Sequence, residues 1–228
     1  MSWRGAVFSA ILFFQFTGTV FAASCTTGTL DTYMALSSAG CTIGQLTFAR
    51  FGFQTVSSSG GATAITPSQI MVTPTVSGGQ YGLTYSSNAF SATAGQKIQY
   101  LLAYSIADPP IIHGFATAMK TDPPVFPGIA SITSNECLGA EFTGSTCPGP
   151  TDSETVFSNG VVSSLSAEDF FPSVSLIDDQ TTITLDASSG GSAEFQSFSE
   201  SAVSSPEPAE ALATGIALLM LLFRRRKS

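Results

Sequence analysis

Through the middle of the chain, apolar positions recur at every second residue in short runs, not at the three- and four-residue spacing of an amphipathic helix. Residues 46–53, Leu-Thr-Phe-Ala-Arg-Phe-Gly-Phe, alternate apolar with small or polar residues, as a half-buried strand does. Similar runs rich in β-branched and aromatic residues fill 70–76, 81–85, 98–106, 111–119, 128–133, 173–177, 181–186 and 193–198. Turn-forming residues separate them at 57–61, Gly78-Gly79, Asp108-Pro109-Pro110, Asp122-Pro123-Pro124 and 188–191. Within 176–183, Asp178 and Asp179 are placed to form the turn of a hairpin, because their carboxylates bond readily to nearby backbone N–H groups. The one helical signal is at 166–169, where Ser166 followed by Asp169 can cap a single turn. Together these elements predict an all-β fold: a single antiparallel β-sandwich, jelly-roll or Ig-like, in which two sheets each bury one face.

Both ends of the chain break the pattern. Residues 1–22 carry Arg4, a largely apolar stretch from 6 to 16, and Val20-Phe21-Ala22, which is the layout of a secretory signal peptide. Cleavage is expected after Ala22, with Ala23 as the neighbouring alternative, and it removes Trp3, the single tryptophan. At the other end, residues 204–228 run through Pro206-Glu207-Pro208, an uncharged apolar segment at 211–223 and Arg224-Arg225-Arg226-Lys227. As a helix, that segment covers roughly 20 Å of a hydrocarbon core of roughly 30 Å. It predicts a short transmembrane anchor whose arginines snorkel to the interface and whose basic end faces the cytoplasm. The two prolines keep the preceding segment extended and open to a processing enzyme. Residues 23–203 remain between the two ends, enough for one domain with a substantial core.

Charge narrows the partners. The whole chain has a formal net charge of −8. The secreted body, however, carries only Arg50, Lys97 and Lys120 against fourteen acidic residues, a charge of about −11. Nucleic acid and anionic lipid headgroups are excluded as partners on that balance. The body also holds all four cysteines, Cys25, Cys41, Cys137 and Cys147. Behind an export signal, an even count predicts two disulfides. Three connectivities are possible, and the local one, Cys25–Cys41 with Cys137–Cys147, is favoured because short loops close readily. Zinc is the alternative use of these thiols, but there is no CxxC spacing and only one histidine, so no metal site is expected.

The order of the tail, a PEP tripeptide followed by an apolar helix and a terminal arginine cluster, resembles the PEP-CTERM sorting signal of Gram-negative envelope proteins. The resemblance implies that Pro206, Glu207, Pro208, Arg224, Arg225, Arg226 and Lys227 form the sorting motif. It also implies export through the Sec translocon, transient anchoring in the membrane by the C-terminal helix, and processing by an exosortase. The destination it implies is the cell surface or the extracellular matrix, in an exopolysaccharide or biofilm setting. The segments Cys25-Thr26-Thr27-Gly28-Thr29-Leu30 and Cys41-Thr42-Ile43-Gly44 are likewise similar to secreted PEP-CTERM proteins of soil bacteria.

Candidate chemistry in the body is sparse. His113 is the only histidine, and nothing in the chain resembles a nucleophile elbow, so no catalytic residues, no cofactor and no enzyme activity are expected. Glu168-Asp169 and Asp178-Asp179 are adjacent acids, which on a strand point to opposite faces and read as solvated surface carboxylates. Calcium is the other use for such oxygen ligands, though no spaced acidic loop is present. Tyr81, Tyr85, Tyr100 and Tyr104 are the candidate aromatic platforms, but Tyr100 and Tyr104 share the parity of Leu102, so they suit a core as well as a platform. Two function classes follow: a structural or adhesive envelope protein, or a carbohydrate-binding module, with carbohydrate degradation the lesser form of the second.

Overall fold

The computed structural model describes residues 22–121 and 127–204. Residues 1–21 of the expected signal peptide, the expected turn at Asp122-Pro123-Pro124 and residues 205–228 of the expected tail, with every residue assigned to the sorting motif, lie outside them. The described chain forms the strands β1 (Ala23–Ser24), β2 (Gly28–Thr29), β3 (Cys41–Ile43), β4 (Leu46–Ser59), β5 (Met71–Ser77), β6 (Gln80–Ser86), β7 (Ser91–Thr93), β8 (Lys97–Lys120), β9 (Ile129–Leu138), β10 (Thr151–Ser158), β11 (Ser163–Ser164), β12 (Ser166–Asp186), β13 (Ser192–Glu194) and β14 (Ser197–Ser204), and the predicted runs fall largely within β4, β5, β6, β8, β9, β12, β13 and β14. Among the described residues helix is confined to α1 (Leu30–Met34) and a 3-10 turn at Pro67–Gln69. Among the described residues no helix is long and apolar enough to cross a membrane.

Twelve strands form one curled sheet, with β11-β10-β9-β12-β8-β14-β6-β5-β2 as its main path and β4 also paired to β8. β7 and β13 form a separate pair. Pairing is antiparallel except between β1 and β3. Gly78 and Gly79, both at positive φ, make the expected two-residue turn between β5 and β6, where Ser77 faces Gln80.

The long strands β8 and β12 give the sheet its two layers. The first half of β8 pairs with β4 and with 176–186 of β12, while its second half pairs with β14 and with 166–170 of β12. The register breaks between the halves, from Ala107 to Ile112 on β8 and from Phe170 to Leu176 on β12. Pro109 and Pro110 sit at the first break and Pro172 at the second. A proline cannot donate to a ladder, so these residues coincide with gaps in pairing without ending the strand. Asp108-Pro109-Pro110 therefore falls within the span of β8, contrary to the turn its sequence suggests.

Two further expectations are corrected. Residues 166–169 are not helical: Ser166 through Phe170 pair in register with Ala118 through Gly114, and a full row of ladder bonds outweighs one capped turn. Asp178 and Asp179 form no hairpin, because β12 runs straight through them. Asp178 is bonded outward by the Phe142 N–H at 2.7 Å, while Asp179 turns inward to hydroxyl partners.

The apolar core lies between the layers. Tyr85, Phe90, Phe195 and Phe198 pack at one end, with Phe90 and Phe195 stacked at 4.5 Å and Tyr85 and Phe198 at 4.8 Å. Phe48, Phe51, Tyr100 and Tyr104 continue it beneath β4 and β8. Both disulfides have the expected local pairing, Cys25–Cys41 across 16 residues and Cys137–Cys147 across 10. Replacing Cys25 and Cys41 together with serine is expected to cost about 3 kcal/mol, the loop entropy returned to the unfolded chain. Guanidinium denaturation of the oxidised protein and of this variant measures the difference.

Candidate functional site

The residues singled out from sequence do not converge. Tyr85, Tyr100 and Tyr104 are core residues and Tyr81 is half-buried, so the tyrosines form no exposed platform. The Tyr100 hydroxyl instead accepts a bond from the Ile65 N–H at 3.2 Å. His113 is half-buried on β8, stacked on Phe170 at 6.2 Å, and its Nδ1 has no hydrogen-bond partner. Glu168 and Asp169 are exposed, as expected, and Glu168 accepts a bond from the Gln80 amide at 2.9 Å.

Asp179 departs from its expected place on the surface. It is fully buried and lies in a polar seam that sequence reading missed. Inward positions alternate along each strand: Ile132, Ser134 and Glu136 on β9, Glu154 and Val156 on β10, Asp179, Thr181 and Ile183 on β12, and Phe198, Glu200 and Ala202 on β14. Each strand thus gives a middle inward place to an acid or a hydroxyl. Register brings them side by side, with Glu136 opposite Asp179, Glu154 opposite Ser134, and Glu200 opposite Thr117 of β8.

The seam is continuous. Ser134 Oγ lies 2.6 Å from Glu136 Oε1 and also bonds Asp179 Oδ1. Thr181 Oγ1 lies 2.6 Å from Asp179 Oδ2 and 2.5 Å from Glu200 Oε1. Glu136, Asp179 and Glu200 are therefore joined through two hydroxyls, and the last step crosses from one layer to the other. Both oxygens of Glu154, Oε2 of Glu136 and Glu200, and the hydroxyls of Thr117, Tyr85 and Tyr104 are buried without partners. Burial pushes Glu136 up to about 7 and Glu200 up to about 8, against the opposing pull of the Ser134 and Thr181 hydroxyls. Glu154 also rises to about 7 through burial, and Asp179 is held well above the usual carboxylate range by burial and then by Glu200 and Glu136. No group of three or more metal-ligating side chains among the described residues is arranged to hold a metal ion.

The surface offers a different kind of site. A cleft of about 440 Å³ opens at one end of the sandwich, between the 86–91 segment after β6, the end of β8 and the 194–197 connection. Ser86, Ser87, Asn88, Ser91, Gln196 and Ser197 supply hydroxyls and amides, and Lys120 and Glu194 supply opposite charges. The stacked Phe90–Phe195 pair lines it from below. Backbone bonds fix its walls, from the Ser87 N–H to the Gln196 carbonyl at 3.2 Å and from the Gln196 N–H to the Lys120 carbonyl at 2.9 Å. Such an arrangement can bind a small polar ligand, and a polyhydroxylated one matches its many short donors and acceptors.

Comparison with protein-family models and with curated proteins finds no match. Among solved structures, TmCBM61 in complex with β-1,4-galactotriose is similar at a TM-score of 0.33 and 12% identity, with 66% of this chain and 86% of that one covered.

Proposed function

We propose that this chain is an exported cell-envelope or matrix protein: a disulfide-stapled β-sandwich delivered to the surface by a PEP-CTERM tail, with a structural or adhesive role there. The pair of local disulfides in the body carries the reading, since such bonds persist in an oxidising compartment outside the cytoplasm. The tail supplies the route. Pro206, Glu207 and Pro208 present an extended segment to an exosortase, while Arg224, Arg225, Arg226 and Lys227 fix the cytoplasmic side of a short membrane helix. Fractionation of an exosortase-bearing host tests it. The body should be found at the surface or in the matrix, with both disulfides closed in intact mass spectra before reduction. A cytoplasmic body with four free thiols overturns the proposal.

The cleft favours a second reading, carbohydrate binding. Asn88, Lys120 and Glu194 line it beside the serine hydroxyls, and these groups suit the hydroxyls of a glycan. On a glycan array the exported protein should then retain a defined sugar, and replacing Lys120 and Glu194 together with alanine should weaken binding at least about tenfold, the loss of roughly 1.4 kcal/mol. Equal binding by the variant removes the cleft from consideration.

A further inference from the structure

The hydrogens in the polar seam can be counted. Four contacts join it: Glu136 to Ser134, Ser134 to Asp179, Asp179 to Thr181 and Thr181 to Glu200. Each contact needs one hydrogen between its two oxygens. A hydroxyl carries one hydrogen and donates along one axis, and an ionised carboxylate carries none, so Ser134 and Thr181 together supply two of the four. The other two must come from carboxyls. At least two of Glu136, Asp179 and Glu200 are therefore protonated when the seam is closed, whatever the pH outside.

We propose that Glu136, Asp179 and Glu200 form a proton-dependent latch between the two layers of the sandwich, closed while at least two of the three carry protons and loosened as those protons leave. The position of the seam makes this a latch and not a local detail. Glu136 and Asp179 belong to the layer of β9 and β12, Glu200 belongs to β14 in the other layer, and Thr181 joins them. Among the described residues no basic side chain faces the seam to take over when the protons go. The titratable groups that face the seam are Glu154 from β10, Tyr104 from β8 and Tyr85 from β6, with Asp152 of β10 and Asp169 of β12 acting at longer range. All are acidic. Of the basic residues described, Arg50 pairs with Glu141, Lys97 pairs with Asp186 at 2.7 Å, and Lys120 lines the surface cleft. The orphan hydroxyls carry the argument a step further. The Tyr104 hydroxyl stands beside Glu200 and the Thr117 hydroxyl beside Glu154, so the described interior sets hydroxyl donors next to the acids and no basic side chain.

The sign follows from proton linkage. The folded protein holds seam protons that the unfolded chain releases near ordinary carboxylate values, 4.5 for glutamate. The latch therefore contributes fully below about pH 4.5 and is lost as the pH rises through about 7 for Glu136 and about 8 for Glu200. The full-length protein, exported to an oxidising compartment and purified, should melt about 10 °C lower at pH 9 than at pH 5. Glu200→Gln, and the triple variant Glu136→Gln, Asp179→Asn, Glu200→Gln, keep hydrogen-bonding groups without an ionisable proton and should flatten that dependence. Infrared spectra of the native protein at pH 7 should show the carbonyl stretch of a protonated, dehydrated carboxyl, so the proposal can be tested even where the triple variant does not fold. A melting temperature that does not change from pH 5 to 9, or the absence of that band, overturns it. So does a calcium-induced return of the pH 5 melting temperature at pH 9, which would make the seam a cation site.

Discussion

Replacing Phe198 with alanine is expected to destabilise the protein by about 3–5 kcal/mol, lowering the melting temperature by about 10 °C. Phe198 is fully buried on β14, stacked on Tyr85 at 4.8 Å, and makes edge contacts with Phe195 at 6.0 Å and Phe90 at 6.2 Å. Its backbone is held on both sides, opposite Tyr85 of β6 and Met119 of β8, so the strand cannot shift to fill the space. The cost thus combines the lost apolar transfer with a cavity that stays open. Phe198→Leu keeps most of the volume and should cost clearly less. Denaturant midpoints of the two variants decide the matter, and a loss under about 1 kcal/mol for alanine would show that this end of the core collapses freely.

The strands that carry this core were legible because their inward residues are apolar. Leu46 and Phe48, or Ile98, Tyr100, Leu102 and Tyr104, announce both the element and its buried face, whereas Phe51, of opposite parity, is buried where the register shifts between Ala49 and Gly52 and Arg50 takes a positive φ. The shared parity of Tyr100 and Tyr104 with Leu102 left core and platform both open, and the fold places the two rings in the core. Local turn chemistry misled where longer-range pairing dominated. Prolines at 109, 110 and 172 coincide with register shifts in two continuous strands, and Asp178-Asp179 lies within a strand because register with Tyr104 and Glu136 outweighs its turn preference. β10 escaped notice for a related reason. Its inward residues are Glu154, Val156 and Ser158, a pattern that reads as solvated until Ser134 and Glu136 on the neighbouring strand are seen to be buried as well.

The same reasoning explains why the seam could not be found from sequence. A lone Asp or Glu at an inward position looks like an error of register. Four of them, on β9, β10, β12 and β14, form a coherent interior only when pairing and layer crossing are known. The available signal was the parity of Asp179 with Ile177, Thr181 and Ile183, which placed its carboxyl on the apolar side of β12. The cysteines were easier, since local pairing in short loops is both the simplest entropic choice and the one found.

The largest biological effect is expected at the tail. On the proposed sorting route, replacing Pro206, Glu207 and Pro208 with alanine should leave the body exported and folded but retained in the membrane with its tail uncut, because the motif offered to the processing enzyme is lost and the apolar segment stays. Deleting residues 204–228 should release the body unattached. Neutralising Arg224, Arg225, Arg226 and Lys227 should weaken retention separately, since the apolar segment is short and its basic end fixes orientation. The two disulfides should form in all three variants, as they depend on export and not on the tail.

The most direct measurement is mass spectrometry of the C-terminal peptide of surface material from an exosortase-bearing host. Processing at the proposed sorting motif predicts a C-terminus upstream of the apolar segment 211–223, with no peptide containing Arg224 to Ser228 in the surface fraction. Surface protein that still ends at Ser228 would contradict the account and leave the tail as an anchor alone.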